Sequence, residues 1–127
     1  MILSRRTVLS AAALLSFLKG TAFAMEEIDE TTLYGVIGQM KATSGQRDAL
    51  IGYLKAGSAD MPGNLAYLIA NDNSDADALW ITEIWTSAEA HLASLKLPQV
   101  QAAIAKARPI IASFGTRAEV TPVGGKH

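Results

Sequence analysis

Hydrophobic and polar positions alternate in four stretches of the chain and recur at helical spacing in two others. The alternation predicts strands at residues 33–41, 64–71, 78–85 and 116–123. The helical spacing predicts one helix from Thr43 to about Gly57. It predicts a second helix that starts just after Trp85, is interrupted and restarted at Pro98, and ends near Pro109. The order β-α-β-β-α-β is that of a ferredoxin-like α+β domain.

Two short patterns predict where the helices begin. Thr43-x-x-Gln46 and Thr86-x-x-Glu89 each place a hydroxyl residue three positions before Gln or Glu. This spacing is typical of a capping box, in which the two side chains bond to each other's backbone N–H groups. We therefore expect each helix to start with a side-chain cap.

Both faces of the predicted sheet carry large apolar side chains. On the second strand Ile69 shares a face with Tyr67, and Leu68 lies on the other face; on the third strand Ile81 alternates with Trp80. Helices cover only one face of so small a sheet, so the other face needs a cover. We expect a homodimer in which two sheets meet face to face, with Ile69 or Ile81 on the face turned away from the helices.

Residues 1–24 have the layout of an export signal. Arg5 and Arg6 stand before an apolar run from Val8 to Leu18, and small residues for cleavage follow, ending at Ala24. The run is shorter than the roughly 20 residues of a spanning helix, which favours a cleaved signal over a membrane anchor. The paired arginines favour the twin-arginine route over the general secretory route. We expect a periplasmic or secreted protein.

The composition after the signal excludes several partners. The signal holds Arg5, Arg6 and Lys19 and no acidic residue, so the remainder has eight basic and twelve acidic residues and a net charge near −4. No basic cluster is left for nucleic acid or for an anionic membrane surface. The chain has no cysteine, so disulfides and thiolate chemistry are excluded. Residues 25–31 are an acidic leader, and residues 32–124 form one domain.

The polar stretch at residues 72–77 separates the second and third strands. Asn73, Asp75 and Asp77 alternate there as the oxygen ligands of a cation do. The stretch lacks the glycine and the terminal glutamate of a calcium loop. We therefore predict a solvated hairpin turn and no metal site.

The most specific signal is Glu83-x-Trp85 followed by a short helix that ends before Pro98. Together with the turn at residues 44–48 and Pro62-Gly63 before the second strand, it resembles the antibiotic biosynthesis monooxygenase family over residues 33 to about 124. The resemblance implies a dimeric α+β barrel. Many family members carry histidine where this chain has Ser94 and Gln99, so no role of those histidines is carried over.

The resemblance also implies an enzyme that oxygenates a small aromatic or quinol-like substrate with molecular oxygen and with no cofactor. The substrate anion passes an electron to oxygen, so the protein supplies an apolar cavity, a base and hydrogen-bond donors. His91, one turn into the helix after Trp85, is the candidate base. The candidate substrate-binding residues are aromatic or carry hydrogen-bonding groups: Tyr34, Asn64, Tyr67, Trp80, Trp85 and Ser94.

Alternatives remain at the level of residues and of function. His91 could be a half-buried structural histidine, and the aromatic residues could pack in a dimer core. Glu83 could form a salt bridge with Arg108, with Arg117 or with a helix N-terminus. The protein could instead be a non-catalytic dimeric ligand-binding or stress-associated protein, or bind or degrade haem. A cavity joining His91 to the aromatic residues would favour the enzyme, and a filled interior the binding protein.

Overall fold

Four antiparallel strands form one sheet in the computed structural model, which describes residues 32–126. The predicted signal and leader lie outside the described residues. The strands are β1 (Tyr34–Ala42), β2 (Asn64–Asn71), β3 (Ala78–Trp85) and β4 (Ile111–Val120). The helices are α1 (Arg47–Gly57), α2 (Ala88–Ser94) and α3 (Pro98–Ala107), and a 3-10 turn covers Arg108–Ile110. The sheet order β2-β3-β1-β4 confirms the predicted ferredoxin-like fold.

The strands lie close to their predicted bounds except for β4. The hairpin of β2 and β3 has the predicted bounds. β4 begins at Ile111 and not at Thr116, because the chain returns to the sheet directly after the 3-10 turn and Ile111 pairs with Ala42. The apolar alternation is weak there, since most of β4 is exposed.

Neither predicted capping box forms. Thr43 belongs to a turn in which its carbonyl accepts from the N–H of Gln46, and Gln46 precedes α1 without a side-chain cap. α2 is capped by Ser87, whose Oγ accepts from the N–H of Ala90 at 3.0 Å. The cap lies one residue later than predicted because the N–H of Thr86 donates to the carbonyl of Gly63, in the turn before β2.

α1 and α3 cover one face of the sheet and enclose the core. The buried residues of the core cluster are Ala42, Leu50, Leu79, Ile81 and Ala107. α1 packs tightly on α3 at Gly57, where an added Cβ would lie 2.5 Å from the Cβ of Ala103. Within residues 32–126, no helix has the length and apolar character needed to cross a membrane.

The second face of the sheet carries apolar side chains with no helix over it. Leu68 is 63% exposed and Ile37 is 37% exposed on this face. The expectation that Ile69 or Ile81 would lie here is wrong. The two residues are paired across β2 and β3, so their side chains point to the same side, and both pack in the core beneath the helices.

Candidate functional site

A cavity of about 570 Å³ lies between the sheet and the helices. Its lining is mainly apolar and comes from every strand and helix described above. The lining residues include Met40, Leu54, Met61, Val100, Ala103, Ile104, Ile111 and Phe114. The volume falls within the range of roughly 300–1,000 Å³ that is usual for small-molecule pockets. The cavity is therefore large enough for an aromatic ligand.

The polar groups of the cavity are concentrated where β3 meets α2. Strand alternation places Glu83 and Trp85 on the same side of β3, facing the helices. The indole N–H of Trp85 donates to Glu83 Oε1 over 3.0 Å, and Trp85 is only 1% exposed. The same Oε1 lies 3.8 Å from His91 Nε2. One carboxylate oxygen thus faces both an indole and an imidazole.

This arrangement corrects the expected partners of Glu83. Within residues 32–126, the carboxylate of Glu83 bonds to none of the expected partners: Arg108, Arg117 or a helix N-terminus. Its partners there are Trp85 and His91, whose side chain is 16% exposed, close to the 17% of Glu83. The reason is that α2 begins three residues after Trp85 and brings its first turn back over the end of β3.

The imidazole of His91 is held between two aromatic rings. Its centroid lies 5.4 Å from that of Tyr34, with an interplanar angle of 41°, and 5.4 Å from that of Trp85, with an angle of 73°. The backbone N–H of Thr86 donates to the carbonyl of Gly63, which ties the start of α2 to the turn before β2. The fold therefore fixes both the helix and the ring.

Two tyrosines flank this cluster. Tyr67 pairs with Glu83 across β2 and β3, and burial followed by the nearby carboxylate raises the pKa of its phenol. The hydroxyl of Tyr34 donates to Glu119 over 2.9 Å; burial and then this hydrogen bond raise the pKa of Tyr34. Both phenols are therefore protonated near neutral pH. Neither phenol is therefore a candidate for the base.

The sequence matches the family model described as antibiotic biosynthesis monooxygenase over residues 33–106. The chain belongs to this family. It is similar to a protein from Chloroflexus aurantiacus J-10-fl whose crystal structure carries the family name, with 55% sequence identity and a TM-score of 0.74. That match covers 76% of this chain and 98% of the other. No curated protein matches the sequence.

Two more distant structures show the fold alone. A protein from Bacteroides thetaiotaomicron VPI-5482 that carries the same family name has 14% identity and a TM-score of 0.69, covering 78% of this chain and 99% of its own. PA3566 from Pseudomonas aeruginosa has 17% identity and a TM-score of 0.65, covering 76% and 99%. The family fold therefore persists at low sequence identity.

In this family member, four of the predicted site residues line the cavity: Tyr67, Trp85, His91 and Ser94. Tyr34 does not line it but contacts His91. The hydroxyl of Ser94 donates to the carbonyl of His91 over 2.6 Å, so its proton is used within α2. Ser94 is thus present in the cavity wall without a free donor.

Two predicted site residues lie elsewhere. Trp80 is on the helix-free face, where its indole N–H donates to Asp72 over 2.8 Å. It is five residues from Trp85, and an odd separation puts two strand residues on opposite faces. Asn64 donates through its amide to the carbonyls of Ala66 and Ile84, which holds the irregular start of β2. Neither is among the residues that line the cavity.

One polar residue of the cavity, Glu83, was not among the predicted site residues. Glu83 was expected to form a structural salt bridge with an arginine or to bond to a helix N-terminus, with general acid as the second choice, and it lines the cavity beside His91. Its position two residues before Trp85 was the signal, because residues two apart on a strand share a face. The helical spacing of apolar residues predicts which side chains of α1 and α3 face the sheet. It does not predict that a cavity remains between these helices and the sheet.

The carboxylates of the turn between β2 and β3 accept hydrogen bonds from within the turn and from neighbouring segments. Asp75 Oδ1 accepts from the N–H of Asp77, and Asp77 Oδ1 accepts from the N–H of Gly45. Asp72 accepts from Ser74 and Trp80, and these bonds lower the pKa of its carboxyl. In the part of the chain that the structure describes, no group of three or more His, Asp or Glu residues could hold a metal ion.

Proposed function

We propose that the protein is a monooxygenase that oxidises a small phenol or quinol with molecular oxygen and needs no cofactor. The observation that carries the proposal is the apolar cavity of about 570 Å³ that joins His91 to Trp85 and Tyr67. The interior is open and not filled, and a half-buried imidazole and carboxylate lie together at its edge although burying charged groups costs free energy. The cavity therefore favours the enzyme over the ligand-binding alternative.

The reaction balances without any further reductant. A phenol with an unsubstituted ring carbon and one O₂ give a quinone and one water, and a quinol gives a hydroxyquinone and one water. The substrate supplies all four electrons, one oxygen atom enters the ring, and the other leaves as water. Loss of the hydroxyl proton makes the ring electron-rich enough to pass the first electron to oxygen.

His91 is the group that takes the hydroxyl proton in this proposal. Histidine is the side chain that most often serves as a general base in enzymes. The mainly apolar wall keeps water away from the anion and from the oxygen-derived intermediates that follow. Tyr67 and Trp85 provide flat apolar surfaces on which an aromatic ring packs.

The proposal includes a homodimer in the periplasm. The exposed apolar side chains Leu68 and Ile37 on the helix-free face support pairing of two sheets. Arg5 and Arg6 before an apolar run support export by the twin-arginine route. Both remain parts of the proposal and are tested separately below.

The direct test is oxygen uptake by the purified mature protein with a panel of single-ring and two-ring phenols and quinols. Metal and flavin contents of the same sample are measured in parallel. We expect substrate-dependent uptake that is unchanged by chelators. Tight anaerobic binding of a panel member without oxygen uptake would replace the enzyme by the ligand-binding protein.

A further inference from the structure

We propose that Glu83 is the positioning residue for His91: it orients the imidazole and stabilises the positive charge that the ring acquires when it takes a proton from a bound phenol. This inference rests on the proposed function and assigns its site a second residue. The geometry behind it is the single carboxylate oxygen that lies 3.0 Å from the indole nitrogen of Trp85 and 3.8 Å from His91 Nε2.

Trp85 fixes the carboxylate. Its indole is almost fully buried and donates its only N–H to Glu83 Oε1. Without that bond, the flexible glutamate side chain would have several rotamers open to it. With the bond, one oxygen is held at the end of β3, in front of α2. The carboxylate is therefore oriented before any substrate binds.

The distance of 3.8 Å between Glu83 Oε1 and His91 Nε2 is within the range of an ion pair when the ring is protonated. No other side chain among residues 32–126 forms a hydrogen bond or ion pair with the imidazole. Glu83 therefore favours a proton on Nε2 and leaves Nδ1 with its lone pair. Catalytic hydrogen bonds of this kind are often long in an empty site and tighten when substrate is bound.

Low exposure makes the charge of Glu83 effective. Both side chains are less than one-fifth exposed, so water screens their attraction less than it would at the surface. A proton moved from phenol to His91 creates an imidazolium next to the carboxylate and a phenolate farther from it. The net electrostatic effect favours the transfer.

Other charged and titratable groups surround the pair. Tyr34 and Tyr67 face it from β1 and β2, and Arg108 lines the same cavity from the 3-10 turn. Two more lie on β4: Arg117, which lines an adjoining cavity of about 350 Å³ together with Glu83, and Glu119, which interacts with His91 through space. None of these groups bonds to the imidazole, so among the described residues Glu83 is the charged side chain close enough to form an ion pair with it.

The test replaces the charge and keeps the hydrogen bond. In Glu83→Gln the amide oxygen still accepts from Trp85, so the melting temperature stays within a few degrees of wild type. The matched control is Glu89→Gln, an exposed carboxylate on the same helix as His91. The probe is 4-nitrophenol, whose phenolate absorbs visible light, bound without oxygen at pH 6.

We expect wild type and Glu89→Gln to bind the probe largely as phenolate. Glu83→Gln lowers the bound phenolate-to-phenol ratio about tenfold, which corresponds to one pH unit of lost stabilisation. With a quinol substrate it lowers kcat by a similar factor and leaves KM within about twofold, because ground-state packing is unchanged. The acid side of its pH–activity profile shifts relative to wild type, which a purely structural role would not cause.

If Glu83→Gln does not fold, Glu83→Asp withdraws the charge from Nε2 while keeping it in the protein, and the same fall in the phenolate ratio is expected. An unchanged phenolate ratio and kcat in a folded variant would overturn the role of Glu83 while leaving the monooxygenase intact. A tenfold fall in the ratio in a protein that consumes no oxygen would support the role of Glu83 and reject the monooxygenase.

Discussion

His91 is held by its neighbours closely enough that the choice of substitution decides what a mutation measures. Its ring packs between Tyr34 and Trp85 and is mostly buried, so alanine would open a hole in the cluster as well as remove the proposed base. Glutamine fills much of the same volume and cannot act as a base near neutral pH. His91→Gln is therefore the informative variant.

We predict that His91→Gln lowers oxygen-dependent turnover by about 100-fold or more, typical for loss of a general base. The melting temperature should change little. Leu92→Gln is the control, because Leu92 is the next residue on α2 and is 61% exposed. Equal turnover in His91→Gln and wild type, measured with an oxygen electrode, would assign His91 a structural role.

At the scale of single residues, the sequence predicted part of the cavity wall. Tyr67, Trp85 and His91 do line one cavity. Trp80 lies on the opposite face of the sheet, and the alternation of side chains along β3 would have been enough to predict this. The hydrogen bonds of Asn64 and Ser94 could not be foreseen, because they depend on an irregular strand start and on the last turn of a short helix.

At the scale of elements, α2 is placed by the turn before β2. Gly63 has φ of +83°, and a Cβ there would lie 2.7 Å from the Cβ of Ala90. A side chain at this position would strain the backbone and push on α2. The turn thereby sets the position of the helix that carries His91.

Gly63→Ala should destabilise the protein by roughly 2 kcal/mol, which combines the left-handed backbone cost with the contact against α2. It should also lower turnover, because α2 moves. Gly52→Ala is the matched control: Gly52 lies in α1 with no atom within 4 Å of an added Cβ, and alanine there should stabilise by about 0.5–1 kcal/mol. Urea unfolding measures both, and equal stability of the two variants would refute the strained turn.

The order and type of the elements followed from the sequence, but their ends did not. The hairpin bounds were predicted because alternation stops at a polar turn on both sides. The start of β4 and the helix caps were wrong because they depend on tertiary pairing, as with Ile111 on Ala42 and Thr86 on Gly63. Local patterns carry no information on such distant partners.

At the scale of the whole molecule, the uncovered sheet face is expected to bind a second copy. Leu68 lies on this face and is 63% exposed, while Leu92, at 61%, lies on α2 away from it. We predict that Leu68→Glu gives a monomer or an aggregate and that Leu92→Glu stays dimeric, since a charge is costly only where it becomes buried. Light scattering after size-exclusion chromatography measures the molar mass of each variant. A stable wild-type monomer at micromolar concentration would rule out the dimer.

Residues 1–24 are expected to direct export through the twin-arginine route. Replacing Arg5 and Arg6 by lysine keeps the charge but removes the twin-arginine pattern, so the precursor should stay in the cytoplasm. Cell fractionation and the N-terminus of the exported protein, expected at Met25, measure this. Undiminished periplasmic protein from the lysine variant would point to the general secretory route.

Isotope labelling distinguishes oxygenation of the ring from simple oxidation, because it follows the oxygen atoms themselves. The mature protein is given a quinol that it consumes under ¹⁸O₂, and the product is trapped rapidly and analysed by mass spectrometry, with a parallel reaction in H₂¹⁸O to measure exchange. We predict one ¹⁸O atom in each product molecule and none above the exchange control in the second reaction. A product without ¹⁸O from ¹⁸O₂, with hydrogen peroxide formed in its place, would contradict the account.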